Sequence, residues 1–232
     1  MVGENYLNVK RKIDAVKSDR KCPEGVTLIA VSKTKPVPLL MEAYEAGARD
    51  FGENKVQEIL AKYDEMPKDV RWHMIGHLQT NKVRQVIDKV VMIHSVDSLH
   101  LAKEISKEAV KKGIVMPVLI EVNVAGEESK FGVSAADTAD LIKEAAGLPG
   151  ISVRGLMTIA PYVEDPEENR QYFVELRQLA VDIKSKNIDN VSMDFLSMGM
   201  TGDYETAVSE GATHVRVGTG IFGERDYHLV QE

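Results

Sequence analysis

From Val26 onward the chain repeats one pattern: a short run of aliphatic and β-branched residues, an amphipathic stretch, then another such run. An alternation of this kind is satisfied by parallel strands joined by helical crossovers. Eight runs can be counted: VTLIAVS (26–32), RDFGE (49–53), RWHMIG (71–76), VVMIHSV (90–96), PVLIEVNV (117–124), SVRGLMTI (152–159), DFLSMG (194–199) and HVRVGTG (214–220). Helical stretches such as PLLMEAYEAG, SLHLAKEISKEAVKKG and AADTADLIKEAAG lie between them, and several end in Gly, which suits the left-handed residue that closes a helix. Eight strands with seven intervening helices predict a single (β/α)8 TIM barrel, and their span of about 205 residues is compact beside the roughly 250 usual for that fold.

No helix is expected after the eighth strand, where little sequence remains. Residues 3–19 place Tyr6, Leu7, Val9, Ile13 and Val16 at near-helical spacing, so an extra N-terminal helix could pack over that gap or close the barrel floor. A doubly wound sheet is the alternative. Its phosphate fingerprint would put G-x-G-x-x-G after the first strand, where SKTKP stands instead; the G-x-G here is Gly218-Thr219-Gly220. With no 20- to 50-residue repeat and no Pro-, Gly- or Ser-rich linker, residues 1–232 read as one domain.

Hydrophobic residues make up 44% of the 232, enough to fill one core. Thirty-six acidic against 29 basic residues give a net charge of −7 with no basic face, which argues against nucleic acid as a partner. The start, MVGENYLNVKRKIDAVK, has no apolar signal region, and no apolar run reaches the ~20 residues of a membrane span, so a soluble, cytoplasmic protein is expected. Cys22, the single cysteine, reads as incidental, and no pair of histidines has a ligand spacing that predicts a metal.

In a barrel of this type the chemistry gathers at the carboxyl ends of the strands. Lys33 stands at the end of the apolar first run, with Lys35 two positions on; strand alternation would put both on one side. Burial among aliphatic side chains would lower a lysine's pKa and free its amine for attack on an aldehyde, whereas an ordinary loop lysine would be solvated. The seventh and eighth loops, Ser197-Met198-Gly199-Met200-Thr201-Gly202-Asp203 and Gly218-Thr219-Gly220, combine glycines with hydroxyls, either as plain turns or as the phosphate site such loops often build. Arg216, two residues before Gly218, should face the barrel interior. There it would meet either a strand carboxylate such as Glu121 or Glu53, or a ligand nitrogen.

His73, His94 and His214 read as interior groups with satisfied hydrogen bonds, and His100 and His228 as exposed. Glu127-Glu128-Ser129-Lys130 reads as a solvated run, and Met198 with Met200 as wall packing, leaving the Met200 backbone for an anion.

Taken together, LIAVSKTKP, FGENKVQE, WHMIGHLQTNK, IHSVDS, EVNVAGEESKFG, RGLMTI and LSMGMTGDYETAVSEGATHVRVGTGIFGER resemble the pyridoxal phosphate homeostasis proteins, also called the YggS or proline-synthetase-co-transcribed family, over residues 4–226. The resemblance implies a barrel like the N-terminal domain of alanine racemase, with pyridoxal 5'-phosphate held as a Schiff base on Lys33. It further implies a phosphate held by Ser197, Met200, Gly202, Gly218 and Thr219, Arg216 facing the pyridine nitrogen, and Asn54 and His77 near the ring. Thr201 departs from the serine common in the family but keeps the hydroxyl. Family members are described as binding and buffering the cofactor, not as robust enzymes. A permanently charged guanidinium at the pyridine nitrogen discourages its protonation and weakens the ring as an electron sink, in keeping with that description.

Three functions follow in order. The first is intracellular vitamin B6 homeostasis, with cofactor buffered or delivered to pyridoxal-phosphate-dependent apoenzymes by a protein more readily monomeric than dimeric. The second is a racemase-like enzyme, which needs a second acid/base group opposite Lys33. The third is a sugar-phosphate isomerase or aldolase using Lys33 as its amine, with His77 or Glu53 as base.

Overall fold

Strand β1 (Thr27–Val31) pairs in parallel with β2 (Asp50–Glu53) on one side and with β8 (His214–Val217) on the other, so the sheet closes on itself. Between them β3 (Arg71–Met74), β4 (Met92–Val96), β5 (Met116–Glu121), β6 (Ile151–Met157) and β7 (Val191–Ser197) follow in chain order. The computed structural model describes residues 1–18, 25–127 and 129–224. Cys22, Glu128, His228 and the rest of the stretch from 225 lie outside the described residues.

The crossovers carry α2 (Val37–Glu45), α3 (Val56–Tyr63), α4 (Val83–Val86), α5 (Leu99–Lys112), α6 (Thr138–Ala146), α7 (Arg170–Ser185) and α8 (Tyr204–Ser209), preceded by α1 (Val2–Ser18) and followed by α9 (Thr219–Phe222). Local signals explain several boundaries. The Ser98 hydroxyl accepts the Leu101 amide at 3.3 Å and starts α5, and Gly113 ends it in the left-handed conformation at φ 65°. The (β/α)8 expectation therefore holds, with strand limits that differ by a few residues.

One expectation fails at the end of the barrel. The eighth strand stops at Val217, and a one-turn helix does follow it: the Ile221 and Phe222 amides bond the Gly218 carbonyl at 2.9 Å, and both side chains are buried. Helix α1 packs against α2, α8 and α9, filling the outer-ring position between the last crossover helix and the first. Asn5 Nδ2 donates to the Ile221 carbonyl at 3.0 Å. Val2, Tyr6, Val9 and Ile13 form the buried face, and Val16 is half-buried; Leu7, read as part of that face, is exposed because it lies on the other side of the helix.

The larger core lies between strands and helices, where Phe51, Trp72, Leu40, Ile59, Ile93 and Leu101 are almost completely buried. Each such side chain contributes roughly 1.5–3 kcal/mol. The barrel interior is different. Met92, Leu119 and Met157 form a small apolar cluster there with Phe195, beside four buried nitrogen-bearing side chains, His73, His94, His214 and Arg216. The reading of the three histidines as interior groups holds, as does that of His100 as exposed. Where β6 passes β7 the register shifts, and Gly155 takes φ 157°; a Cβ there would lie 1.8 Å from the Phe195 carbonyl oxygen. No helix among the described residues is long and apolar enough to cross a membrane.

Candidate functional site

The turn after β1 carries Lys33, and it is held from beneath. Ser32 Oγ donates to Glu53 Oε1 at 2.6 Å, and Lys62, reaching up from α3, donates to that same oxygen at 2.7 Å and to the Ser32 carbonyl at 2.9 Å. Lys62 also reaches Glu58 Oε2 at 2.9 Å, and that oxygen accepts the Thr34 amide at 2.6 Å. Both residues flanking Lys33 are thus fixed, while Lys33 itself is half-buried. Burial pushes Glu53 up to about 7, against the opposing charge and hydrogen bond of Lys62. Its second oxygen, Oε2, is buried and has no hydrogen-bond partner.

Strand alternation does not relate Lys33 to Lys35 as expected. The strand ends at Val31, and Thr34 at φ 62° turns the backbone. Lys35 Nζ is tied to the Glu224 carbonyl at 2.7 Å, at the end of the eighth loop.

The seventh and eighth loops do come together, through a hydroxyl omitted from the implied phosphate set. Thr201 Oγ1 accepts from Thr219 Oγ1 at 3.4 Å and from the Gly220 amide at 3.2 Å. Gly202 lies in open space, and Gly218 packs over the Val31 carbonyl at the root of the Lys33 turn. Ser197 is placed elsewhere: it is fully buried, and its hydroxyl meets Arg216 at 2.7 Å and His94 at 2.9 Å. The Met200 amide, expected to be available to an anion, donates to Asp203 Oδ1 at 2.6 Å. Of the two methionines, Met198 is buried as expected, whereas Met200 is exposed on the loop.

Arg216 points into the barrel as predicted, but its partners differ from both carboxylates considered. NH1 donates to Ser197 Oγ and NH2 to the Thr158 carbonyl at 2.8 Å. Burial lowers its pKa to about 10, partly offset by Glu121 and Asp203, so the group remains cationic near neutrality. Glu121 is pushed up to about 7 by burial and by the charge of Asp97, with Arg216 pulling the other way.

His77 stands on the loop after β3 with its ring stacked on Phe131, centroids 3.9 Å apart, and Nδ1 3.2 Å from Asp97 Oδ2. With Gln79, Asn81, Asp97, Ser98 and His100 it lines a groove of about 350 Å³. Asn54 is half-buried after β2, and its backbone lies against Gly76, where a Cβ would come within 2.5 Å of the Asn54 carbonyl. In the fifth loop Lys130 pairs with Glu127 at 2.6 Å, and Asn123 Nδ2 donates to the Glu127 carbonyl at 2.8 Å, so this run folds on itself rather than standing free in solvent.

Sequence reasoning missed Lys62, Thr201 and the Ser197–His94 contact. Thr201 was within reach, since it lies in the loop already singled out. Lys62 stands in the last turn of α3 on the face of Val56 and Ile59, but its residue type reads as solvated.

Comparison with known proteins supplies a context for this geometry. The profile of the alanine racemase N-terminal domain matches residues 8–226. A pyridoxal phosphate homeostasis protein of Aquifex aeolicus is 50% identical over 201 residues, covering 86% of this chain and 87% of the relative. The solved structure of PipY from Synechococcus elongatus, with pyridoxal phosphate bound, superposes with a TM-score of 0.82 at 36% identity, covering 96% of this chain and all of PipY. An alanine racemase of Corynebacterium glutamicum shares the fold at 16% identity with a TM-score of 0.74, over 99% of this chain and 63% of its own.

Proposed function

The chain belongs to the pyridoxal phosphate homeostasis proteins, and from that premise we propose that it holds pyridoxal 5'-phosphate on Lys33 and buffers or delivers the cofactor rather than turning over a substrate. The observation that carries this reading is the clamped turn: a half-buried lysine between two hydrogen-bonded neighbours, rooted against Gly218 of the loop that meets Thr201. The donor set fits the cofactor's three polar ends. An amine for the aldehyde, hydroxyls and loop amides for the phosphate, and a buried guanidinium for the pyridine nitrogen all lie on or below one face.

When bound, the cofactor supplies an aldehyde carbon that condenses reversibly with an amine. Lys33 offers that amine, and the Lys62–Glu53–Ser32 contacts orient its turn. Thr201, Thr219, Gly202 and Gly218 receive the phosphate; Ser197 supports Arg216 from below, and Met200 contributes through the loop shape that Asp203 fixes. Arg216 remains a donor and withholds a proton from the pyridine nitrogen. Asn54 and His77 border the ring. Exposed Phe131, Ile159, Tyr162 and Met200 on the loops that follow the strands offer apolar contacts to another protein, which supports hand-over to pyridoxal-phosphate-dependent apoenzymes.

A racemase-like activity finds support in one feature, the pairing of His77 with Asp97, which orients an acid/base group on the loop after β3. Absorption spectra and borohydride trapping of the wild type and Lys33→Ala test the main reading. The wild type should gain a visible band on adding pyridoxal phosphate and a reducible link to Lys33, and the variant should lose both. A folded wild type that takes up no cofactor would overturn it, and D/L exchange of alanine by purified protein would favour the racemase.

A further inference from the structure

We propose that Asp50, His73 and His94 are positioning residues for Arg216, forming with Ser197 a proton-ordered relay that runs through the barrel interior and fixes the guanidinium beneath the ligand site. The proposal rests on the reading of Arg216 as the group that meets the cofactor ring.

The relay is a chain of side-chain contacts contributed by five strands. Arg216 NH1 lies 2.7 Å from Ser197 Oγ, Ser197 Oγ 2.9 Å from His94 Nδ1, His94 Nε2 2.9 Å from His73 Nδ1, and His73 Nε2 3.0 Å from Asp50 Oδ1. Asp50 in turn accepts Arg71 Nε at 2.8 Å and NH2 at 2.5 Å. Arg71 is half-exposed at the start of β3, so the chain leads from the barrel floor to its interior.

Its direction is fixed by the two ends. A guanidinium can only donate and a carboxylate can only accept. Asp50 is ionised: burial opposes this, but hydrogen bonds from His73 and Arg71 outweigh it and bring the carboxyl down to about 2. His73 must therefore carry its proton on Nε2. With His73 neutral, its Nδ1 can only accept, so His94 carries its proton on Nε2, and His94 Nδ1 accepts from the Ser197 hydroxyl, which in turn accepts from Arg216. In that state one pattern satisfies every atom: Arg216 to Ser197 to His94 to His73 to Asp50. Complete burial keeps the His94 ring neutral, as the pattern requires. His214, 5.8 Å from the His94 ring and 6.2 Å from His73, packs beside the chain and uses its own Nδ1 on Thr213.

Hydrogen bonds in such a file polarise one another. The Asp50 charge thus makes Ser197 a stronger acceptor for Arg216, while the Thr158 carbonyl holds the other terminal nitrogen. Packing alone would place Arg216 without this electrostatic draw; the relay makes the guanidinium's hydrogen bonding depend on a carboxylate at the far end of the barrel.

Two measurements test this. Nitrogen NMR of the imidazole rings in cofactor-free protein should show His73 and His94 both as Nε2–H tautomers; a doubly protonated His73, or an Nδ1–H His94, would overturn the direction. The second follows the pH dependence of the visible band after pyridoxal phosphate is added. His94→Phe and Ser197→Ala, which cut the chain, should move its midpoint by about one pH unit. His94→Asn, which keeps an acceptor where Nδ1 stood, should return it toward the wild type. Ser197→Ala removes only a hydroxyl and guards against a His94→Phe protein that fails to fold. Folded variants with wild-type midpoints would leave the relay a packing feature and refute the proposal. A wild type that takes up no cofactor would sink the site reading instead, and the tautomers alone would then decide the relay.

Discussion

Lys62 and Glu53, nine residues apart, meet at 2.7 Å in a buried ion pair directly below the turn that bears Lys33. Removing one partner of such a pair leaves a charge without compensation, at a cost of about 3–5 kcal/mol. Lys62→Met should lower stability by about that amount in urea unfolding. The loss should grow with pH, because an acid raised in the folded state is penalised once the unfolded chain ionises. Adding Glu53→Gln should recover most of the loss, and a double variant as unstable as Lys62→Met would show the pair to be irrelevant.

Glu121 gives a second pH signature. Its folded value of about 7 lies above its ordinary 4.5, so the native protein binds more protons between those values. Stability is full below about 4.5 and declines as pH rises toward about 7, by about 3 kcal/mol at most. Glu121→Gln should flatten that part of the stability profile; an unchanged slope would locate the linkage elsewhere.

Thr201 separates the phosphate from the rest of the cofactor. Thr201→Val removes the hydroxyl that joins the seventh and eighth loops and should weaken pyridoxal phosphate roughly tenfold, the worth of one hydrogen bond to a charged group. Binding of unphosphorylated pyridoxal should hardly change. Equal losses for both ligands, measured by titration, would remove Thr201 from the phosphate site.

Gly155 is a position where no side chain fits. The Cβ of Gly155→Ala would sit 1.8 Å from the Phe195 carbonyl, so β6 and β7 must part at the register shift. A loss of at least about 3 kcal/mol is expected, at the severe end of single substitutions. A circular dichroism melt within a few degrees of the wild type would contradict it.

The barrel was legible because its signal is repetitive: each strand is a short run rich in aliphatic or aromatic residues and each crossover is amphipathic, so eight local decisions agree. The position of Lys33 at a strand end was legible for the same reason. What surrounds it was not. Lys62 shares a face of α3 with Val56 and Ile59, but a lysine there reads as reaching to solvent, and its contact with Glu53 and Ser32 needs the packing of α3 on β2. Ser197 illustrates the opposite error: a hydroxyl near a glycine-containing loop reads as a phosphate ligand, but as the last residue of β7 it turns into the barrel, and Thr201, four residues on, reaches the rim. His73 and His94 were legible as buried singly, whereas their pairing needs the lateral register of β3 and β4.

The packing of α1 against α9 has a consequence for the order of assembly. Of the helices that pack on α1, α2 is made soon after it, but α8 and α9 come some two hundred residues later, so part of its apolar face waits for the last crossover and for the turn that follows β8. Closure of the β1–β8 seam and completion of the packing around that first helix therefore both come late. The protein should reach its folded state by ring closure, with its earliest segment among the last to settle.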